Sequence, residues 1–162
     1  MTDEPWLTPE EQRAWRSFVA MRQQLDRHLQ RHMQQECGLS GPDFEILVNL
    51  SEAPGERMRA VDLVAATRWE KSRLSHHLRR MASRGLVRRE DGAHRYPDVV
   101  LTAAGRDAIR TCAPANAARV RELFIEVLGP ERLAVLAEAS RDVLAALAEH
   151  RETACPPGIR DG

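Results

Sequence analysis

Aromatic side chains are scarce in this 162-residue chain, which has three tryptophans, three phenylalanines and one tyrosine. The apolar residues are mostly leucine, alanine and valine, which suit helices better than sheets, so a mainly α-helical protein is expected. No run of about 18 apolar residues occurs, which speaks against a membrane-spanning helix. The opening MTDEPWLTPEE is acidic where a secretory leader would be basic and then apolar. The expectation is a soluble, cytoplasmic protein with no membrane partner. Three cysteines, Cys37, Cys112 and Cys155, lie far apart without CxxC or Cys/His ligand spacing, so neither a disulfide framework nor a zinc site is indicated, and reduced thiols are the default. A glycine-rich phosphate loop, a GxSxG elbow and a Cys-His-Asp order are also missing, which leaves an enzyme without chemistry to rest on. No cofactor is expected, and no metal.

Charge is present in balance but not evenly spread. Lys plus Arg and Asp plus Glu both number 24. The stretch from Arg57 to Arg95 nevertheless holds eleven basic residues against four acids, a formal +7, and the remainder carries the compensating −7. Segregation of that size is the footprint of a surface that meets phosphates, hidden by a neutral total. On charge alone, a solvated arginine-rich helix accounts for it equally well.

Read in order, Thr8-Pro9-Glu10-Glu11 is a helix start, with Thr8 as N-cap, proline at the first helical position and Glu11 placed to close a capping box. Trp15, Phe18, Val19, Leu25, Leu29 and Met33 keep helical spacing to about Glu36, and Gly38 stops the run. Ser40-Gly41-Pro42-Asp43 repeats the start signal for a second helix, which ends at Ala53-Pro54-Gly55. A third helix from Ala60 spans about two turns, and Arg68-Trp69-Glu70 is the turn before a fourth that runs to Ser83, with Gly85 as its stop. In the fourth helix Leu74, Leu78 and Met81 point to a core, while Arg73, His76, Arg80 and Arg84, flanked by Ser72, Ser75 and Arg79, form a polar stripe. A short helix, a tight turn and a helix with one greasy and one Arg/Ser/His face make a helix-turn-helix, whose second helix enters the major groove of double-stranded DNA. Leu86–Arg89 and Asp98–Leu101, joined by a turn containing Asp91-Gly92, read as a hairpin or wing, in which alternation sends one of Arg88 and Arg89 outward to phosphate.

Thr102 begins another helix, which Pro114 should kink or split near Cys112-Ala113. Gly129-Pro130-Glu131 is a stop and restart, and the last helix presents Leu133, Leu136, Val143, Leu144 and Leu147 on one face. The first and last helices carry apolar stripes that a small basic module cannot cover, so a homodimer is expected, against a monomer whose terminal helices pack on each other. The expected architecture is mainly α with a small β-hairpin wing. Dimerisation helices at 8–38 and 103–150 form one composite domain, a winged helix-turn-helix lies at 40–102, and 151–162 is a disordered tail.

The string WEKSRLSHHLRRMASRGLVRRE and the Val99-Val100-Leu101-Thr102-Ala103-Ala104-Gly105 segment, set between long helices, resemble the MarR family of bacterial winged-helix regulators. The resemblance covers the chain from about Glu10 to His150. It implies a homodimer joined through its terminal helices, each subunit reading half of a near-palindromic operator, repressing transcription and in many members released by a small-molecule effector or by oxidation of a cysteine. It places Ser72, Arg73, Ser75, His76 and Arg80 on the major-groove side of the recognition helix and sends Arg95 of the wing into the minor groove; the stripe and the wing pattern add Arg79, Arg84, Arg88 and Arg89 to the expected DNA contacts. Ala93 stands where the family has an aspartate, with Asp91 nearby. Ligand sites in the family lie between the dimer helices and the DNA-binding lobe, where Trp15, Phe18 and Phe44 are candidate lining residues, against a reading as ordinary core aromatics.

Two other readings of the chain compete with a DNA reader. One is a helical dimeric protein-interaction module that does not bind DNA; the other is a cysteine-based redox-sensing regulator. Against the latter, Cys37 lies at a helix C-terminus beside Glu36 with no adjacent Arg or His, and both features oppose a thiolate, while Cys112 reads as packed. His28 and His32 have the i, i+4 spacing of a metal pair, but a third ligand is not evident, and a polar helix face is the simpler account.

Overall fold

The computed structural model describes residues 6–90 and 97–154. Along these residues run α1 (Pro9–Cys37), α2 (Gly41–Glu52), β1 (Arg57–Arg59), α3 (Ala60–Thr67), α4 (Lys71–Ser83), β2 (Val87–Glu90), β3 (Asp98–Leu101), α5 (Ala103–Val120) and α6 (Glu126–Ala154). Both expected capping boxes are formed. The Thr8 N–H donates to Glu11 Oε2 at 2.8 Å and the Glu11 N–H to Thr8 Oγ1 at 3.3 Å. At α2 the Ser40 N–H donates to Asp43 Oδ2 at 2.9 Å and the Asp43 N–H to Ser40 Oγ at 3.2 Å. Gly38, at φ 65°, closes α1 in the left-handed conformation that glycine adopts at least cost.

The wing is larger than a hairpin. Three antiparallel strands lie in the order β1-β3-β2, with Met58 opposite Val99 and Arg88 opposite Val100. β1 is only three residues long, with just its central Met58 turned partly inward, too little for a periodic signal. The β2–β3 turn, with Asp91, Ala93 and Arg95, lies outside the described residues.

One core ties this region together. Ile46, Leu47 and Leu50 of α2, Leu63 of α3, Leu74, Leu78 and Met81 of α4, Val87 and Val99 of the sheet, and Ile109 and Cys112 of α5 are all buried. Thr102 joins the sheet to α5: its hydroxyl lies 2.6 Å from the Gly85 carbonyl and 2.9 Å from that of Leu86, and it accepts the Gly105 N–H at 3.0 Å. Gly105 is required by a close approach, since a Cβ there would lie 2.1 Å from the Leu86 carbonyl oxygen.

Of the expected kink or split at Pro114 the split does not occur: α5 runs from Ala103 to Val120 with the proline inside it. Buried Ile109 and Cys112, five and two residues before the proline, hold the helix to the core, an offset to the lost backbone bond. The departure from α geometry comes later, as a π-helical stretch at Arg121–Ile125 where the Glu126 N–H reaches the Arg121 carbonyl.

The chain divides into two compact units, one up to Arg119 and one from Val120. The first thus groups α1 and most of α5 with the 40–102 module. In the second, Gly129 at φ 69° interrupts α6 as the Gly-Pro-Glu restart requires, and Arg132 donates to the freed carbonyls of Leu128 and Val127 at 3.0 and 3.3 Å. The helix then continues to Ala154, so residues 151–154, expected in the tail, extend it instead. A chain leaving a helix with good helix formers such as Arg151 and Glu152 has no stop signal before Pro156. Cys155 and the residues after it are outside those described.

Candidate nucleic-acid interface

α4 fixes the geometry of the basic stretch. Its core face, Leu74, Leu78 and Met81, is at most 1% exposed, so the 3.6-residue repeat turns Ser72, His76, Arg79, Arg80 and Ser83 to the opposite side. All five are exposed. Among the described residues no side chain pairs with Arg79 or Arg80, and their guanidinium donors remain available.

The other predicted site residues divide between the two flanks of α4. Ser75 and Arg89 meet on the wing side, where Arg89 Nη2 approaches the Ser75 carbonyl and hydroxyl at 3.4 and 3.5 Å. Arg88 emerges on the other face of β2, its Nε donating to Glu90 Oε1 at 2.8 Å. Arg57 joins it there, donating to Glu90 Oε2 at 2.9 Å. The hydrogen bond from Arg88, despite some desolvation, holds the Glu90 carboxyl below its ordinary range. Arg88 and Arg89 are both exposed at their strand positions, but each has a partner within the chain. Arg95 is outside the described residues.

The flank facing α1 and α2 holds Arg84. Arg84, expected among the DNA contacts, donates from Nη1 to Asp43 Oδ2 at 2.7 Å and from Nη2 to the Gly38 carbonyl at 2.7 Å. It tethers the end of α4 to the close of α1 and the start of α2. Asp43 is 3% exposed. Burial pushes its carboxyl up, but the Ser40 backbone N–H, Arg84 and the Ser40 hydroxyl outweigh that and leave it below the ordinary value. His77 Nε2 lies 2.9 Å from Asp43 Oδ1; against an ionised carboxylate that nitrogen carries the proton. His77 also meets the Trp69 ring edge-on, at 5.5 Å between centroids and 82° between planes. The Arg73 guanidinium carbon sits 4.4 Å from the centre of the Trp69 ring. Asp43 and Trp69 were not singled out from sequence: the bonds that give Asp43 its role span 34 and 41 residues, and no local pattern marks them.

The three aromatic residues proposed to line an effector site are not gathered into one. Trp15 and Phe18 pack on each other, centroids 5.9 Å apart, and are 56% and 45% exposed on α1. Phe44 packs against the core. A crevice of about 360 Å³ does open between α1, α2, α5 and the start of α4, lined by Asp26, Gln30, Glu45, Trp69, Arg73 and Asn116 among others. The His28 and His32 rings lie 4.8 Å apart between centroids, tilted by 52°, and His32 faces Glu36 at 3.4 Å. Among the described residues no group of three His, Cys, Asp or Glu is arranged to hold a metal ion. Cys37 and Cys112 line one small cleft between α1 and α5. Burial, and then the Cys37 thiol beside it, push the Cys112 thiol up to about 12.

Comparison with known proteins converges on one group. The sequence pattern of the MarR family matches residues 38–95. The transcriptional regulator HosA of Escherichia coli O127:H6 is 29% identical over 131 residues, 80% of this chain and 95% of that protein. Among solved structures, AbsC of Streptomyces coelicolor, a MarR family transcriptional regulator, superposes with a TM-score of 0.84 at 43% identity over 89% of this chain and 98% of its own. Sco3205 of the same organism, also of that family and solved in complex with DNA, gives a TM-score of 0.84 at 37% identity over 90% and 93%.

Proposed function

The chain belongs to the MarR family of transcriptional regulators, and from that premise we propose that it is a homodimeric, sequence-selective DNA-binding repressor whose α4 reads the major groove of a near-palindromic operator. The observation that carries this reading is the outer face of α4. It sets Ser72, His76, Arg79 and Arg80 on a helix whose opposite side is sealed into the core, with no side-chain partner for the two arginines among the described residues. Arginine forks suit guanine edges and short hydroxyls suit phosphates or either base type. Ser75, Arg88 and Arg89 border that face at the wing, and the family resemblance implies a minor-groove contact for Arg95, which is outside the described residues. Nothing in the site resembles a catalytic constellation, and the protein is read as a regulator rather than an enzyme. It works in the cytoplasm.

The test is selection of duplexes from random DNA by the full-length chain, followed by titration across a salt series. Log affinity for the selected duplex should fall linearly with log salt, and Arg79→Ala with Arg80→Ala should cost the selected duplex about tenfold or more while the protein keeps its thermal stability. Failure to enrich any sequence, or full affinity in the double variant, rejects this reading.

A second reading concerns control. The crevice beside Trp69 and Arg73 adjoins the recognition helix directly, so a small molecule bound there would touch a residue of the DNA-binding face. That contact supports effector-dependent release, in place of the Trp15, Phe18 and Phe44 set.

A further inference from the structure

Arg73 differs from Arg79 and Arg80 in being held. It lies one turn before His77 and two turns before Arg80, at the border between the outer face of α4 and the flank that faces α1 and α2. Its guanidinium rests over the Trp69 ring at 4.4 Å, the geometry of a cation–π contact. Among the described residues no carboxylate pairs with it, and Trp69 is what fixes its direction.

Trp69 is itself fixed. Its backbone N–H donates to Thr67 Oγ1 at 3.4 Å, and the Thr67 hydroxyl donates to the Leu63 carbonyl at 2.7 Å. The edge-on contact with His77 fixes the tilt of the indole. His77 cannot swing away, because its ring is bonded to Asp43 and the two side chains are only 12% and 4% exposed. The remaining oxygen of Asp43 is held by the Ser40 N–H and Arg84. An orienting series therefore runs from the N-terminus of α2, through His77 and Trp69, to an arginine at the edge of the DNA-binding face.

We propose that Trp69 is a positioning residue for Arg73, with His77 and Asp43 holding Trp69, so that Arg73 meets the DNA backbone already ordered. A long arginine side chain frozen only on contact would lose conformational freedom at the moment of binding and weaken the complex. The ring moves that loss into folding and leaves the charge in place. This inference rests on the DNA-binding reading above.

A double-mutant cycle between Trp69→Leu and Arg73→Ala decides it, with full-length proteins titrated against the duplex selected by the wild type over a salt series. Trp69→Leu should weaken binding by about 3- to 10-fold with the salt slope unchanged, because Arg73 keeps its charge. Arg73→Ala should lower the slope by about one. Adding Trp69→Leu to Arg73→Ala should cost nothing further, and Trp69→Phe should recover most of the affinity. If thermal melting shows that Trp69→Leu does not fold, the cycle with Trp69→Phe gives the same decision from a smaller loss. Equal losses from Trp69→Leu with and without Arg73 would make Trp69 a mere support for α4 and overturn the proposal, as would wild-type affinity in that variant. A wild type that selects no duplex overturns this inference together with the DNA-binding reading, whereas selective binding with additive losses overturns this inference alone.

Discussion

Arg80 and Arg84 stand four residues apart and carry the same charge, yet the structure gives them opposite uses. Among the described residues Arg80 has no side-chain partner on the outer face, whereas Arg84 closes a node with buried Asp43 and the Gly38 carbonyl. Removing Arg84 leaves two acceptors short of a donor. Because its side chain is 42% exposed, water replaces part of what is lost, and Arg84→Ala should destabilise the fold by about 1–2 kcal/mol, read from the urea midpoint. The salt slope of duplex binding should not change in that variant; a slope reduced by about one would restore Arg84 to the DNA contacts. The node has a pH sign. The Asp43 carboxyl is lower in the folded state than in the unfolded chain, so its stabilisation is complete above about pH 4 and fades as pH falls through the lowered value. The Arg84→Ala deficit should shrink over that same acid range.

Cys112 supplies a second prediction from a single residue. A buried thiol raised to about 12 is almost wholly protonated at neutral pH, and the thiolate is the nucleophile. Iodoacetamide at pH 8 should therefore leave Cys112 unmodified in the folded protein and alkylate it once urea unfolds the chain. Ready labelling of Cys112 in the native state would show that the cleft beside Cys37 opens.

Elements were legible in the sequence where their signals are local. Thr8 with Glu11 and Ser40 with Asp43 mark helix starts within four residues, and the apolar positions of α4 repeat within one helix. Signals were lost where the cause is distant or short. β1 is only the Arg57–Arg59 triplet and pairs with residues some 40 positions on; the fate of Arg84 depends on α2; Cys37 and Cys112 meet across 75 residues of chain, by their numbers in the sequence. Pro114 does not split α5, because proline's local penalty says nothing of the packing that offsets it. Of the interface, the composition of α4 was readable, but which of its arginines remain available was not.

Gly105 shows the same limit in one junction. The LTxxG pattern pointed to a family resemblance, and the structure supplies the reason: α5 starts so close to the α4–β2 turn that a methyl group would sit 2.1 Å from the Leu86 carbonyl oxygen and 2.9 Å from Leu101 Cδ1. Neither backbone nor sheet can yield cheaply there. Gly105→Ala should cost about 3 kcal/mol or more in urea unfolding. Gly38→Ala, where nothing lies within 4 Å of the added atom, should cost only the strain of a left-handed alanine, about 1 kcal/mol. A Gly105→Ala variant as stable as wild type would mean that α5 can shift away from the turn.

At the scale of the molecule, the unanswered requirement is apolar surface. On α1, Trp15, Phe18 and Met21 are 56%, 45% and 41% exposed, and on α6 Val143, Leu144 and Leu147 are 59%, 51% and 51% exposed. Each such side chain, already about half covered, adds about 1 kcal/mol to an assembly when fully buried, so faces of this kind are what a second copy would cover. A formal net charge of zero removes the general repulsion that would keep copies apart. A dimer also matters to the proposed recognition, in which one α4 meets one half-site and two tethered copies bind with the effective concentration of a linked pair. Leu144→Glu places a charge in that apolar face of α6, a unit separate from the one that holds α4. Sedimentation should then find a monomer with its helical content intact, and affinity for the selected palindromic duplex should fall by about 100-fold while weak binding to an unselected duplex persists. A stable Leu144→Glu dimer would put the interface elsewhere, and a monomer with undiminished operator affinity would show that one copy suffices to read the site.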